Sequence, residues 1–221
     1  MKKRLIFYWY INKKGWHWVY DLHVEYLSKY KDIFDSIKFI ISKDDDTKQE
    51  DVDNTIAKLK EACPNMTYEF FKNDKKSRES KFFYDEIVKK FSQFGTNDAI
   101  FFAHNKGVQS VYVKKDVLKE WIKDMYANNL SDKEKITKML EEKDVCCIGT
   151  HLLKGVVPPQ MLRVAKHKWH YSGTFFWLVP RRIDNYIRSN NVEIVENNGR
   201  WYAEGFLATV LPCDDKYVKG V

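Results

Sequence analysis

With 221 residues, 44% of them hydrophobic and 15% aromatic, the chain can fill a stable core; this excludes a disordered polymer and a small scaffold that depends on staples. Lysine and arginine outnumber aspartate and glutamate by 38 to 31, and the formal net charge of +7 favours anionic partners: nucleic acid, an anionic membrane or phosphate-bearing small molecules. The bland account of the same surplus is lysine spread over solvated helix faces.

The amino terminus, MKKRLIFYWYINKK, is basic and then apolar. Its apolar run is short, rich in rings and lacks a small-residue cleavage site, so it predicts a buried strand over 4–11 rather than a signal peptide. Val19, Leu22, Tyr26, Leu27 and Tyr30 keep helical spacing and predict a helix over 18–30. SIKFIIS (36–42) reads as a strand, KDDDTKQED as a solvated loop, and DVDNTIAKLKEA as a helix with acidic residues in its first turn. MTYEFF (66–71) is strand-like, and SRESKFFYDEIVKKF (77–91) reads as a helix with Ser77 and Ser80 as cap candidates. AIFFAH (99–104) is a fourth strand, ending abruptly at HNKG.

Two helices follow, over 116–130 and from Ser131, where Ser131 and Glu134 have capping-box spacing. DVCCIGTH (144–151) reads as a fifth strand. WHYSGTFFWLV, from Trp169, reads as one more strand, with Trp169, Tyr171, Gly173, Phe175 and Trp177 on one side and His170, Ser172, Thr174 and Phe176 on the other. Pro180 opens a helix, and GRWYAEGFLATVL (199–211) carries a last amphipathic one. This alternation predicts an α/β fold: a three-layer sandwich with a mostly parallel, mixed central sheet flanked by helices. With no linker or internal repeat, residues 1–221 form a single domain, divided into a Rossmann-like nucleotide-binding half (1–107) and an acceptor and catalytic half (108–221).

Cys63, Cys146, Cys147 and Cys213 lack zinc-type spacing, and the central pair lies in an apolar run; they read as reduced and buried in a cytoplasmic protein. No stretch is long enough for a transmembrane helix.

Open α/β sheets bind ligands at the carboxyl ends of their strands. There, HNKG (104–107) offers an imidazole, an amide, an ammonium and an accessible backbone N–H on one turn. That set can hold a diphosphate, or it is simply a polar strand-to-helix turn. The KDDD run (43–46) has the carboxylates a Mg²⁺ or Mn²⁺ site needs, but its place before a helix favours a solvated cap. Glu204, among the rings of RWYAEGFL, can act as a general base, and rings beside a carboxylate suit sugars. No P-loop, GxGxxG or GxSxG motif occurs, the histidines lack zinc spacing, and no RNP-type sequence or arginine stripe supports nucleic-acid binding.

AHNKG, CCIGTHLL, HYSGTFFW and WYAEGFL, in that order, resemble a family of small nucleotide-sugar glycosyltransferases with the A-type glycosyltransferase fold. Its members build surface polysaccharides or glycans in bacteria and in some large algal viruses, so a virus-encoded protein of the host cytoplasm is within the expectation. The resemblance covers roughly residues 4–210, with its specific motifs in the second half. It implies a hexosyltransferase that takes a nucleotide-sugar donor, a UDP-sugar by the family's habit, and a glycan acceptor. Glu204 would be the catalytic base. His104 and Lys106 stand where related enzymes place an Asp-x-Asp metal motif, which leaves His104 as candidate ligand for Mn²⁺ or Mg²⁺ and Lys106 as a substitute for part of the cation's charge. Donor contacts would come from Tyr8, Tyr10, Arg78, Asn105, Gly107, His170, Ser172, Gly173 and Trp177. The rival readings are a non-catalytic sugar-nucleotide or carbohydrate-binding module and, more distantly, a basic nucleic-acid-binding protein.

Overall fold

A computed structural model describes residues 1–12, 18–105, 113–157, 166–194, 199 and 201–221. In chain order its elements are β1 (Lys2–Ile11), α1 (Trp18–Tyr30), β2 (Ser36–Lys43), α2 (Gln49–Ala62), β3 (Thr67–Phe70), α3 (Glu79–Phe82), β4 (Asp98–His104), α4 (Lys115–Leu130), α5 (Lys133–Glu141), β5 (Cys147–Gly149), β6 (Leu152–Lys154), β7 (Trp169–Tyr171), β8 (Phe176–Leu178), α6 (Pro180–Ser189), α7 (Tyr202–Gly205), α8 (Leu207–Val210) and β9 (Val218–Gly220).

The molecule is an α/β protein built on a seven-stranded sheet in the order β3-β2-β1-β4-β8-β5-β9, with β6 and β7 as a separate two-stranded ladder. Strand β8 runs antiparallel to both neighbours, β4 and β5, and every other pairing in the large sheet is parallel. Helices cover both faces, so central strands such as β4, DAIFFAH, are buried along their whole length; this is why they read as continuous apolar runs rather than alternating ones.

The two faces carry two cores. Leu5, Phe7, Trp9, Phe39 and Phe101 join Val19, Leu59, Met125 and Leu130 from α1, α2 and α4. On the other face Tyr8, Ile40, Ile100 and Phe102 meet Phe82, Phe83, Ile183, Phe206 and Leu207. Helix α5 ends against a side chain from α6: one Arg182 nitrogen donates to the carbonyls of Leu140, Glu142 and Val145 at 2.9, 2.5 and 2.8 Å, tying the helix end and the turn after it to α6.

Several expectations need correction. WHYSGTFFW is not one strand. It breaks between β7 and β8 at Gly173, whose φ of 111° lies in a region that a side chain makes costly. The corner sends Trp169 and Tyr171 into one core and Phe175 and Trp177 into the other, so the strand-parity prediction fails across it. The segment 77–91 is composite: α3 widens into a π turn over Phe83–Ile87 and tightens into a 3₁₀ turn over Val88–Gln93. The cap of α5 is Asp132, whose carboxylate accepts from Lys135 N at 2.8 Å, one residue beyond the predicted Ser131. The segment 199–211 forms α7 and α8, both buried throughout rather than amphipathic. No helix among the described residues is long and apolar enough to cross a membrane.

Candidate functional site

Register places one set of polar side chains together at the carboxyl ends of β1, β2 and β4. Tyr8 lies directly opposite His104, and Tyr10 opposite Ser42. Because residues two apart in a strand share a face, Tyr8, Tyr10, Ser42 and His104 all point to the side covered by α3. Asn105 extends this junction past the last β4 residue. Its Oδ1 accepts from Tyr10 N at 3.0 Å and its Nδ2 donates to Tyr10 O at 2.8 Å, so the side-chain amide takes the place of a further strand residue and holds β1 beside β4.

The loops after β2 and β3 brace Tyr10. Its hydroxyl donates to Asp44 Oδ2 at 2.5 Å, and the Asn73 amide donates to Asp44 Oδ1 at 2.8 Å. Asp74 accepts from the backbone N–H groups of Lys76 and Ser77 at 2.8 and 2.9 Å, and these bonds hold its carboxyl below the usual carboxylate range. The turn then delivers Arg78 with φ 49° and ψ −129°, an unfavourable conformation for a residue with a side chain, directly before α3. Glu79 follows, and its Oε1 lies 3.3 Å from His104 Nδ1.

Among the described residues four buried polar atoms at this end have no partner within hydrogen-bond distance, Tyr8 Oη, Ser42 Oγ, Thr47 Oγ1 and His104 Nε2, although the Ser42 hydroxyl is near enough to act on the Tyr8 phenol. His104 and Tyr8 are 9% and 2% exposed, so water does not satisfy them by default. Burial drives the Tyr8 phenol well above its ordinary range; the Ser42 hydroxyl and the Arg78 charge pull the other way, and Glu79 adds to the rise. An unpaired buried polar atom costs about 1–3 kcal/mol, so such a concentration is either a defect or a place for a ligand.

Glu204 is buried on α7, a helix that packs against α3 and β7. Ala203 N donates to Ser80 Oγ at 3.0 Å, a bond that joins the residue before Glu204 to the residue after Glu79. The Tyr84 and Tyr202 rings meet edge to face across the same seam at 5.3 Å.

The structure thus brings together Tyr8, Tyr10, Arg78, His104 and Asn105, with Glu204 on the adjoining helix. Lys106 and Gly107 lie outside the described residues. His170 sits on the small ladder, opposite Leu153, and donates from Nδ1 to the Val156 carbonyl at 3.1 Å. Ser172 N donates to His151 O at 3.1 Å, and Gly173 faces α4: a methyl group there would stand 3.1 Å from Met125 Sδ. What approaches the Gly173 backbone is therefore a side chain of the protein itself. Trp177 is fully buried between Phe34 and Phe101, with its indole N–H donating to Asn129 O at 3.1 Å. That bond and those rings give it a core role, which corrects the expectation of a donor contact.

Thr47 and Glu79 were not predicted as site residues; Asp44 was weighed only as part of the KDDD run, and Ser42 and Asn73 only as positions at strand ends. Ser42 and Asp44 sit at the end of β2, where the strand-end rule points; Glu79 carries no sequence signal beyond an acidic residue at a helix start. A separate cavity of about 250 Å³ lies beside Phe34, Ser36 and Cys63, at the amino end of β2. The length of β2 puts it roughly 20 Å from the cluster.

Neither a protein-family model nor a curated protein matches this chain.

Proposed function

We propose that the chain is a glycosyltransferase that moves a sugar from a nucleoside-diphosphate sugar, UDP-linked by family resemblance, to a hydroxyl of a glycan acceptor. One observation carries the reading: buried atoms of Tyr8, Ser42, Thr47 and His104, without a partner among the described residues, lie at the carboxyl ends of β1, β2 and β4, beside α3, against which the helix bearing Glu204 packs. A nucleotide supplies a base edge, ribose hydroxyls and phosphate oxygens, which are the groups such a set lacks. The mixed sheet with helices on both faces supports the same reading, since carboxyl strand ends are where such sheets take nucleotides.

In this chemistry Glu204 accepts the proton of the acceptor hydroxyl as its oxygen bonds to the anomeric carbon. The bond from that carbon to the diphosphate oxygen breaks, and its electron pair leaves with the diphosphate, where positive side chains stabilise the new charge. Tyr10, fixed by Asn105 and Asp44, shapes the strand end that receives the nucleotide.

The test is release of nucleoside diphosphate from a panel of sugar nucleotides, with and without glycan acceptors, for the parent and Glu204→Gln. Release by the parent, and a drop of about a hundredfold or more in the variant with donor binding intact, supports the reading. Binding without release or transfer assigns a binding module instead, and full activity in Glu204→Gln removes the base role.

A further inference from the structure

Strand β3 is the outermost strand of the large sheet and pairs with β2 on its inner side. The Phe71 N–H donates to Ile41 O at 2.9 Å, so the backbone groups of Glu69 and Thr67, two and four residues earlier, also turn toward β2. The N–H and C=O groups of Tyr68 and Phe70 therefore point the opposite way, out of the sheet edge. Their side chains are uncovered as well: Tyr68 is 39% and Phe70 55% exposed, and the two rings meet edge to face at 5.9 Å. Register sets these rings beside Phe39 and Ile41, which are fully buried, so an apolar row of the core runs out to the surface at β3.

Native sheet edges are commonly protected by proline or lysine. Strand β3, TYEF, contains neither. Its one charge, on Glu69, is matched by Lys38 Nζ at 2.7 Å, on the strand face opposite the two rings. What such an edge fits is a copy of itself. About a two-fold axis through Glu69, an antiparallel second β3 sets Tyr68 opposite the partner's Phe70, and the outward backbone groups of both strands satisfy one another. The rings then form cross-strand aromatic pairs that continue the row of Phe39 and Ile41 into the second copy. On the other face the two Glu69 carboxylates come side by side between two Lys38 ammonium groups, an alternation of charge that offsets their repulsion.

We infer that β3 is a self-association edge: two copies of the chain pair their β3 strands antiparallel about Glu69 and join their sheets into one. Beyond β3 the chain reaches Asn73, whose amide braces Asp44 and through it Tyr10, so the contact sits at the flank of the candidate site.

Sedimentation of the full chain at micromolar to millimolar concentrations tests it. The expected result is a reversible monomer–dimer equilibrium, weak because the paired strands are short. Phe70→Lys removes a ring and charges the edge; it weakens dimerisation by about tenfold or more, with the unfolding midpoint checking that the variant folds. Cross-linking fixes the register. In a Cys213→Ser background, which removes the part-exposed native thiol, Glu69→Cys forms an intermolecular disulfide on mild oxidation. Residues facing each other at a non-hydrogen-bonded antiparallel position have Cα atoms about 4.5 Å apart, within disulfide reach. Thr67→Cys, displaced from the axis, does not cross-link. A parent that stays monomeric throughout overturns the inference and leaves the edge to a strand from another protein. A dimer of parental affinity in folded Phe70→Lys overturns it too, as does a folded Glu69→Cys variant that cross-links no faster than Thr67→Cys. If Phe70→Lys does not fold, the cross-linking comparison decides the point.

Discussion

Replacing Asn105 by Asp keeps the shape of the side chain and changes a single hydrogen-bonding group. In the parent, Oδ1 accepts from Tyr10 N at 3.0 Å and Nδ2 donates to Tyr10 O at 2.8 Å, in a residue that is 7% exposed. The aspartate keeps the first bond and sets an oxygen against the Tyr10 carbonyl in place of the second. Losing a net bond worth about 1 kcal/mol and stranding a buried carbonyl at about 1–3 kcal/mol predicts a loss of about 2–4 kcal/mol at neutral pH. The sign of the pH dependence follows from the same geometry. Burial and the facing carbonyl disfavour the ionised form, so the folded-state pKa rises above the value of about 3.9 in the unfolded chain. The protonated acid can donate to Tyr10 O. The deficit against the parent is therefore largest at neutral pH, and it shrinks as the pH falls through the raised folded-state value. Urea unfolding of parent and variant at neutral and mildly acidic pH, compared at equal m-value, measures it. Equal midpoints at neutral pH, or a deficit that does not shrink on acidification, would refute the role given to the Asn105 amide.

Gly173→Ala forces a side chain onto a φ of 111° and sets its methyl 3.1 Å from Met125 Sδ. It lowers stability by about 1–3 kcal/mol, read from the unfolding midpoint. Trp177→Phe loses the bond to Asn129 O and part of a packed ring, costing about 1–3 kcal/mol while leaving nucleotide affinity unchanged; weaker binding at parental stability would return Trp177 to the site. Burial pushes the Cys63 thiol up to about 11, Cys146 up to about 12 and Cys147 well above the usual range. In the native chain at neutral pH only the part-exposed Cys213 reacts readily with a thiol reagent, against all four cysteines in denaturant, counted by released chromophore.

The α/β class was legible because the central strands are buried on both faces and so spell continuous apolar runs: RLIFYWYI and AIFFAH fall within β1 and β4. Strands β6 and β9, three residues each, were not legible, since LLK and VKG are too short to carry a period. Gly173 marked a possible bend in WHYSGTFFW, but its outcome was hidden: every ring is buried on either side of the corner, so hydrophobicity does not show that they enter two different cores. Half of the candidate cluster was legible as strand ends. Tyr8, Tyr10, His104 and Asn105 follow from strand ends, whereas Glu79 becomes visible only once the turn after β3 folds back over β4 and faces it with a histidine. Trp177 misled because an aromatic beside small residues looks the same in a sequence whether its partner is a sugar or Phe34.

The reversed strand also orders events during synthesis. By residue 104 the emerging chain contains four neighbouring parallel strands, β3, β2, β1 and β4, but the free side of β4 is filled by β8, which ends 74 residues later at Leu178. Strand β5 appears in that interval with both of its partners, β8 and β9, still unmade. Until then DAIFFAH is an apolar edge without a neighbour, the kind of segment that recruits other chains. A ribosome pausing within this interval therefore leaves the chain in its most aggregation-prone state, and the passage of Phe176–Leu178 out of the exit tunnel ends that exposure.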